Sequence, residues 1–172
     1  IAALVVGAAL LVAAAPAAAG TCSYRDRPTA AMGDAEARGA LWCAIAIERH
    51  RHGLYAWSHD RRLARAAGRH ARDMVRRRYF GHWAPGGVGL VARLRRTGYL
   101  AGCRPCRVGE NLHWARGGGT PRSAIVRAWL RSPRHRAVLL SPAFREVGIG
   151  LARGAPDGRS RWAVTTVLVV GG

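Results

Sequence analysis

The chain has 172 residues, the size of one domain with one core. Its net charge of +19 comes from 28 basic residues, all of them arginine, set against 9 acidic residues. The arginines are spread along the chain with one tight run, at 76–78, and no aromatic residues are interleaved with them as on a base-stacking surface. The composition therefore does not favour nucleic acid as a partner, whereas attraction to an anionic cell envelope is compatible with it.

The first 19 residues are uncharged and apolar, and Pro16 is followed by three alanines. This pattern predicts a signal peptide over residues 1–19, cleaved after Ala19. An uncleaved anchor is the alternative, because about 19 apolar residues just span a bilayer. We therefore expect the protein to be secreted, or held at the outer face of the membrane. Residues 20–36 then form an N-terminal segment and residues 37–172 the folded domain.

Apolar periodicity and end signals predict three helices in the first half of the folded part, over 34–52, 59–78 and 88–97. Asp34 is a candidate cap of the first helix, and Ser58 or Asp60 of the second. Gly53 and Gly98 follow the first and third helices, where a left-handed residue is typical. His70 falls on the apolar stripe of the second helix and is interpreted as a hydrogen-bonded core histidine.

The second half of the chain changes from helical to extended patterns. Residues 108–114 read as extended, and Pro121 and Pro133 each mark the start of a helix. Towards the C-terminus, large apolar residues alternate with small ones, a turn follows at 154–158, and 161–170 is rich in β-branched residues, which predicts a hairpin. Helices followed by antiparallel strands imply a layered α+β domain. The core candidates are Leu63, Met74, Phe80, Leu94, Ile125, Trp129, Phe144 and Trp162.

Three segments carry most of the side chains that can do chemistry. They are Tyr79-Phe80-Gly81-His82, then Gly109-Glu110-Asn111-Leu112, and finally residues 129–136 followed by 144–150. In this order and spacing, together with the helical residues 69–74, they resemble the bacterial CAP domain of the cysteine-rich secretory protein, antigen 5 and pathogenesis-related-1 superfamily, from Cys43 to about Val170. The resemblance implies a three-layer α-β-α sandwich, which we expect to contain an antiparallel sheet.

The resemblance also implies a cleft in which His82, Glu110 and His135 meet. Two imidazoles and a carboxylate suit zinc or another divalent cation, and they could equally polarise a water with Glu110 as the base. A second glutamate of animal and plant members falls at Ser132 here, so the ligand set is incomplete. In the alternative interpretation these side chains only hold loops together by hydrogen bonds. The expected cleft walls are Trp83, Asn111 and Trp114.

Four cysteines in an exported chain favour disulfides. Of the three possible pairings, Cys22 with Cys43 and Cys103 with Cys106 is the most economical. A Cys-x-x-Cys pair can also be redox-active or half of a zinc site. Because this pair lies in a Gly/Pro/Arg loop and no second such pair exists, the structural role is favoured.

Three functional classes follow from these features. The first is a non-enzymatic, monomeric extracellular module whose cleft binds a divalent cation or a small ligand, which a lipid, a peptide or a carbohydrate would each fit; family members are associated with lipid or sterol binding. The second is a metal-dependent hydrolase, peptidase-like, that uses the same three residues, although no catalytic residue is assigned. The third is binding of a polyanion or the cell envelope through the arginine-rich surface.

Overall fold

The structure is a computed structural model that describes residues 32–102, 105–116 and 120–172. The predicted signal peptide, Cys22 and Cys103 lie outside these ranges. The elements in chain order are α1 (Asp34–Arg51), β1 (Ser58–His59), α2 (Arg61–Arg77), α3 (Leu90–Thr97), β2 (Val108–Ala115), α4 (Arg122–Arg131), α5 (Pro133–Leu139), β3 (Glu146–Arg153) and β4 (Val164–Gly171). Within the described ranges, none of the helices has the length and apolar character needed to cross a bilayer.

The four strands form one sheet in the order β1-β3-β4-β2. The strands β3 and β4 form the predicted hairpin, and β2 pairs with the other side of β4, antiparallel in both cases. The expectation of a purely antiparallel sheet is wrong, because Ser58 and His59 pair with β3 in the parallel sense. A two-residue strand is too short to show alternation in the sequence. The strand β2 is left at an edge of the sheet.

Helices cover both faces of the sheet, so the fold is the expected three-layer α+β sandwich. Residues of β4 alternate between the two layers. Val167 and Val169 are buried in the cluster formed with α2 and α3, whereas Leu168 and Val170 are buried in the cluster formed with α1, α4 and α5. Both clusters therefore share β4 as their common wall.

The helix ends follow the local chemistry of the sequence in most places. The Asp60 carboxylate accepts hydrogen bonds from the backbone N–H groups of Arg62 at 2.8 Å and Leu63 at 2.9 Å, as expected of an N-cap. Gly98 ends α3 with a φ of 77°. Asp34 is not a cap, since it is already helical and Gly33 occupies the cap position without a side-chain bond.

Two of the predicted core residues lie at the surface instead. Phe80 is 46% exposed and Trp162 is 64% exposed. Arg78 ends α2 in the left-handed region with a φ of 55°, which turns the chain out of the helical layer just before Phe80. Trp162 lies in the connection between β3 and β4, where the Arg161 guanidinium stacks on its ring at 5.2 Å. The spacing of apolar residues in the sequence does not show that a turn of the chain places a residue at the surface of the protein.

Candidate functional site

The loop after α2 is held in place from beneath by a buried histidine. His70 is 1% exposed, and its Nε2 donates a hydrogen bond to the Gly81 carbonyl at 3.0 Å. Tyr79, at the start of the same loop, donates to the Asp73 carboxylate at 2.8 Å. These bonds confirm His70 as a satisfied core histidine, and they position the backbone that carries His82.

His82 and Glu110 meet directly, although they lie 28 positions apart in the chain. The carboxylate can only accept, so Nδ1 of His82 donates to Oε1 of Glu110 at 2.8 Å. The Glu110 side chain is 3% exposed, whereas that of His82 is 50% exposed. This arrangement leaves Nε2 of His82 as the ring nitrogen available to a ligand.

Arg93 forms an ion pair with Glu110, and the sequence analysis did not identify it as a residue of the site. Its Nη2 donates to the other Glu110 oxygen at 2.7 Å, and its Nη1 donates to the carbonyls of His82 at 2.9 Å and Val88 at 3.1 Å. A buried guanidinium therefore balances the buried carboxylate. One feature of the sequence could have indicated that Arg93 is buried. It lies next to Leu94 on the apolar stripe of a short helix, where a solvated arginine is not expected.

His135 reaches the same edge of the sheet from the opposite layer. The buried Asn111 amide donates from Nδ2 to the His135 carbonyl at 3.0 Å, which ties α5 to β2. The Trp129 indole donates to the Leu112 carbonyl at 3.0 Å and ties α4 to the same strand. The alternation of β2 thus presents Glu110 to the layer of α2 and Asn111 to the layer of α5.

Burial lowers the pKa of two imidazoles in this region. Burial, and then repulsion by His82, lowers the pKa of His135. Burial, followed by Arg122 and His135, lowers the pKa of His113. The ring of His113 is partly buried and lies edge-on to Trp129, with centroids 6.5 Å apart.

Aromatic side chains flank His82 in the chain and lie on the neighbouring strand β2. Trp83 is 69% exposed, and its ring covers Gly89, where an added Cβ would lie 2.7 Å from the ring. Phe80 meets Trp114 edge-on at a centroid distance of 6.4 Å. Of the expected cleft walls, Trp83 and Trp114 belong to this aromatic rim, which we define as Phe80, Trp83 and Trp114. Asn111 is fully buried and faces the layer of α5.

Glu110 has no oxygen without a hydrogen bond for direct coordination of a divalent cation. Its two oxygens accept from His82 and from the guanidinium of Arg93, whereas Nε2 of His82 stays open, as in a ligating histidine that is supported by an outer carboxylate. Among the described residues, no group of three or more His, Cys, Asp or Glu side chains is arranged to hold a metal ion. Ser132, at the place of the second family glutamate, joins α4 to α5. Zinc binding at His82, Glu110 and His135 stays a prediction.

The buried histidines predict that acid weakens the fold. Burial is the main cause that lowers the pKa of His70, His113 and His135 in the folded state. The unfolded chain then binds more protons below about pH 6.5, so the free energy of unfolding falls as the pH drops from about 7.5 to about 5.5. Urea titrations across this range measure the slope. We expect a shallower slope for His70→Gln, and an unchanged slope would contradict the assignment.

The described cysteines are Cys43 and Cys106, and neither is free. Their predicted partners, Cys22 and Cys103, lie outside the described residues, so the pairing stays a prediction. Peptide mapping of the unreduced protein by mass spectrometry identifies it.

An α-β-α sandwich with a histidine and a carboxylate paired at an edge strand defines the class of domain. The profile of the cysteine-rich secretory protein family, CAP, matches residues 43–170, so the chain belongs to this family and the predicted family is confirmed. It is 31% identical over 103 residues to the uncharacterized protein YkwD of Bacillus subtilis strain 168, which covers 60% of this chain and 37% of that protein. The chain thus spans well under half the length of this curated relative.

Solved structures share the fold. An outer surface protein from Borrelia burgdorferi superposes with a TM-score of 0.65 at 20% identity, over 81% of this chain and 95% of that one. An extracellular protein containing an SCP domain from Bacillus anthracis superposes with a TM-score of 0.61 at 24% identity, over 81% of this chain and 43% of that one. At these identities the likeness shows a common fold.

Proposed function

We propose that this protein is a secreted, non-enzymatic binding module whose ligand lies at the edge of β2, between His82 and His135 and against the aromatic rim. The hydrogen bond from His82 to Glu110 carries the proposal. It fixes the tautomer of a half-exposed imidazole, so that Nε2 is the acceptor of the ring when the ring is neutral. An ordered acceptor of this kind recognises a hydroxyl or amide donor of a ligand.

Support for a ligand with an apolar face comes from the rim. Trp83 and Phe80 keep 69% and 46% of their surface exposed, although exposed large apolar groups are unfavourable in water. Both residues are close to His82 in the sequence. The faces of aromatic rings bind apolar surfaces of a ligand, and its polar groups can then bond to neighbouring donors and acceptors. Among the three ligand types that the sequence left open, a carbohydrate or a peptide combines hydrogen-bond donors with apolar surface most directly.

The proposal can be tested by titrating chitotetraose, trialanine and octanoate into ¹⁵N-labelled protein. We expect one of the first two to shift the imidazole signals of His82 and His135 and to quench tryptophan fluorescence saturably. His82→Ala and His135→Ala should each weaken that binding by about tenfold, the effect of one lost hydrogen bond with a desolvated partner. His50→Ala is the matched control, because His50 is an exposed histidine of α1.

Three results would contradict this assignment. If binding survives in both cleft variants, the ligand binds elsewhere on the protein. If only octanoate binds tightly, the ligand is a lipid. A zinc-dependent rise in Tm that disappears in both variants makes a cation the ligand, held by the imidazoles with Glu110 hydrogen-bonded behind His82.

The same hydrogen bond favours one second candidate, hydrolysis with His82 as general base. A carboxylate behind an imidazole orients it for proton abstraction at the other ring nitrogen. Incubation of the protein with a peptide library tests this candidate. Cleavage that is lost in His82→Ala and retained in His50→Ala would support it, and an intact library would remove it.

A further inference from the structure

A concave surface lies between α2 and α3 and includes Arg93 in its lining. It is a groove with a volume of about 720 Å³, within the usual range of small-ligand sites and far larger than one phosphate group. Asp73 is the one carboxylate among the residues that line it. The arginines that line it are Arg69, Arg72, Arg76, Arg77, Arg93 and Arg96.

Three of these arginines have no counter-charge within the described part of the chain. Asp73 is shared by Arg76 at 2.9 Å and Arg77 at 3.5 Å, and Glu110 is paired with Arg93 at 2.7 Å. Arg69, Arg72 and Arg96 are exposed and make no hydrogen bond or ion pair with any described residue. The groove therefore presents at least three guanidinium groups whose donors are open to a ligand.

A buried donor in the groove also lacks a partner. The Arg93 side chain is 9% exposed, and both of its terminal nitrogens donate hydrogen bonds. Its Nε is buried without a hydrogen-bond partner. An unpaired buried N–H is costly, so such a group in a cationic groove indicates a place for an anionic acceptor.

We propose that this groove binds a linear phosphate polymer. Arg69, Arg72 and Arg76 follow one face of α2 at intervals of three and four residues, which places their Cβ atoms roughly 5–6 Å apart along the helix. A single anion can bind one or two of these guanidinium groups, whereas a polymer with a negative charge on each repeat can bind all three. Guanidinium groups bind phosphate through paired N–H donors, which gives phosphate an advantage over simple charge attraction.

The site shares Arg93 with the surroundings of the proposed ligand cleft, so its test uses other side chains. The probe is short-chain inorganic polyphosphate, titrated calorimetrically into the full protein at several salt concentrations. The test variant is Arg69→Gln/Arg72→Gln/Arg96→Gln, in which all three changes fall on exposed residues. We expect it to weaken binding by about a hundredfold and to lower the salt slope by about one for each arginine.

The matched control is Arg107→Gln/Arg127→Gln/Arg131→Gln, which removes the same charge from exposed positions outside the groove. We expect it to retain most of the affinity. If the two triple variants lost the same affinity for polyphosphate, the groove would not be the binding site, and long-range charge attraction would account for the binding. Equal binding of polyglutamate would overturn the preference for phosphate, and tighter binding to phosphatidylglycerol vesicles would make a membrane surface the partner instead.

Discussion

Replacing Gly148 by alanine is expected to lower the free energy of unfolding by about 3 kcal/mol or more, the upper end of overpacking costs. A Cβ at Gly148 would overlap the backbone of Leu63 and Ala64 in α2. Gly150→Ala should have a similar effect, since its Cβ would overlap the backbone of Ala67 and Gly68. A helix backbone cannot move aside as a flexible side chain can, so α2 would have to leave the sheet. Urea denaturation measures the loss.

Gly39→Ala is the control for these substitutions. Gly39 lies in α1, and a Cβ there would meet nothing within 4 Å. Alanine should therefore stabilise the helix by about 0.5–1 kcal/mol. If Gly148→Ala were as stable as the natural sequence, the close packing of α2 on β3 would be wrong. Because α2 positions the loop that bears His82, ligand binding should also suffer in the Gly148 and Gly150 variants.

Replacing Arg93 by methionine is expected to destabilise the protein by about 3–5 kcal/mol, the usual cost of leaving one member of a buried ion pair alone. The Glu110 carboxylate is 3% exposed and, among the described residues, would keep only the hydrogen bond from His82. The carbonyls of His82 and Val88 would each lose the hydrogen bond from Arg93, and Val88 would keep the one from the Ala84 N–H. Thermal and urea unfolding measure the stability, and histidine ¹⁵N shifts report whether His82 keeps its tautomer.

A double substitution separates charge from packing at this position. In Arg93→Met/Glu110→Gln the carboxylate charge is gone, so we expect it to be more stable than Arg93→Met alone by about 1–3 kcal/mol, within the range of coupling energies of contacting residues. Equal instability of the single and double variants would show that the lost carbonyl bonds, rather than the charge, dominate. Either outcome leaves the phosphate groove testable through Arg69, Arg72 and Arg96.

Much of the fold was predictable because its signals are local. The cap at Asp60 and the left-handed glycine at 98 act within one helical turn, and both are observed. The alternation of large and small residues in 147–151 predicted the hairpin. The same alternation gives the two faces of β3 different roles. Val147 and Ile149 are buried in the core with α1 and α4. On the other face, Gly148 and Gly150 leave room for the backbone of α2.

The candidate site was only partly predictable, because its contacts join distant segments. The family motifs indicated His82, Glu110 and His135, and the structure pairs the first two at 2.8 Å. Nothing in those motifs showed that Arg93 would neutralise Glu110 and donate to its second oxygen. The exposed positions of Phe80 and Trp162 were missed for a related reason, since hydropathy does not report which side of a turn a ring occupies.

By itself the sequence determined the family, the positions of the helices and hairpin, and the residue types that line the site. Only the tertiary structure decided that β1 runs parallel to β3, that the Glu110 charge is balanced by an arginine, and that six arginines share one groove. The physical reason is the range of the forces. Capping and periodicity act over a few residues, whereas burial and charge pairing depend on which segments meet after the layers have packed.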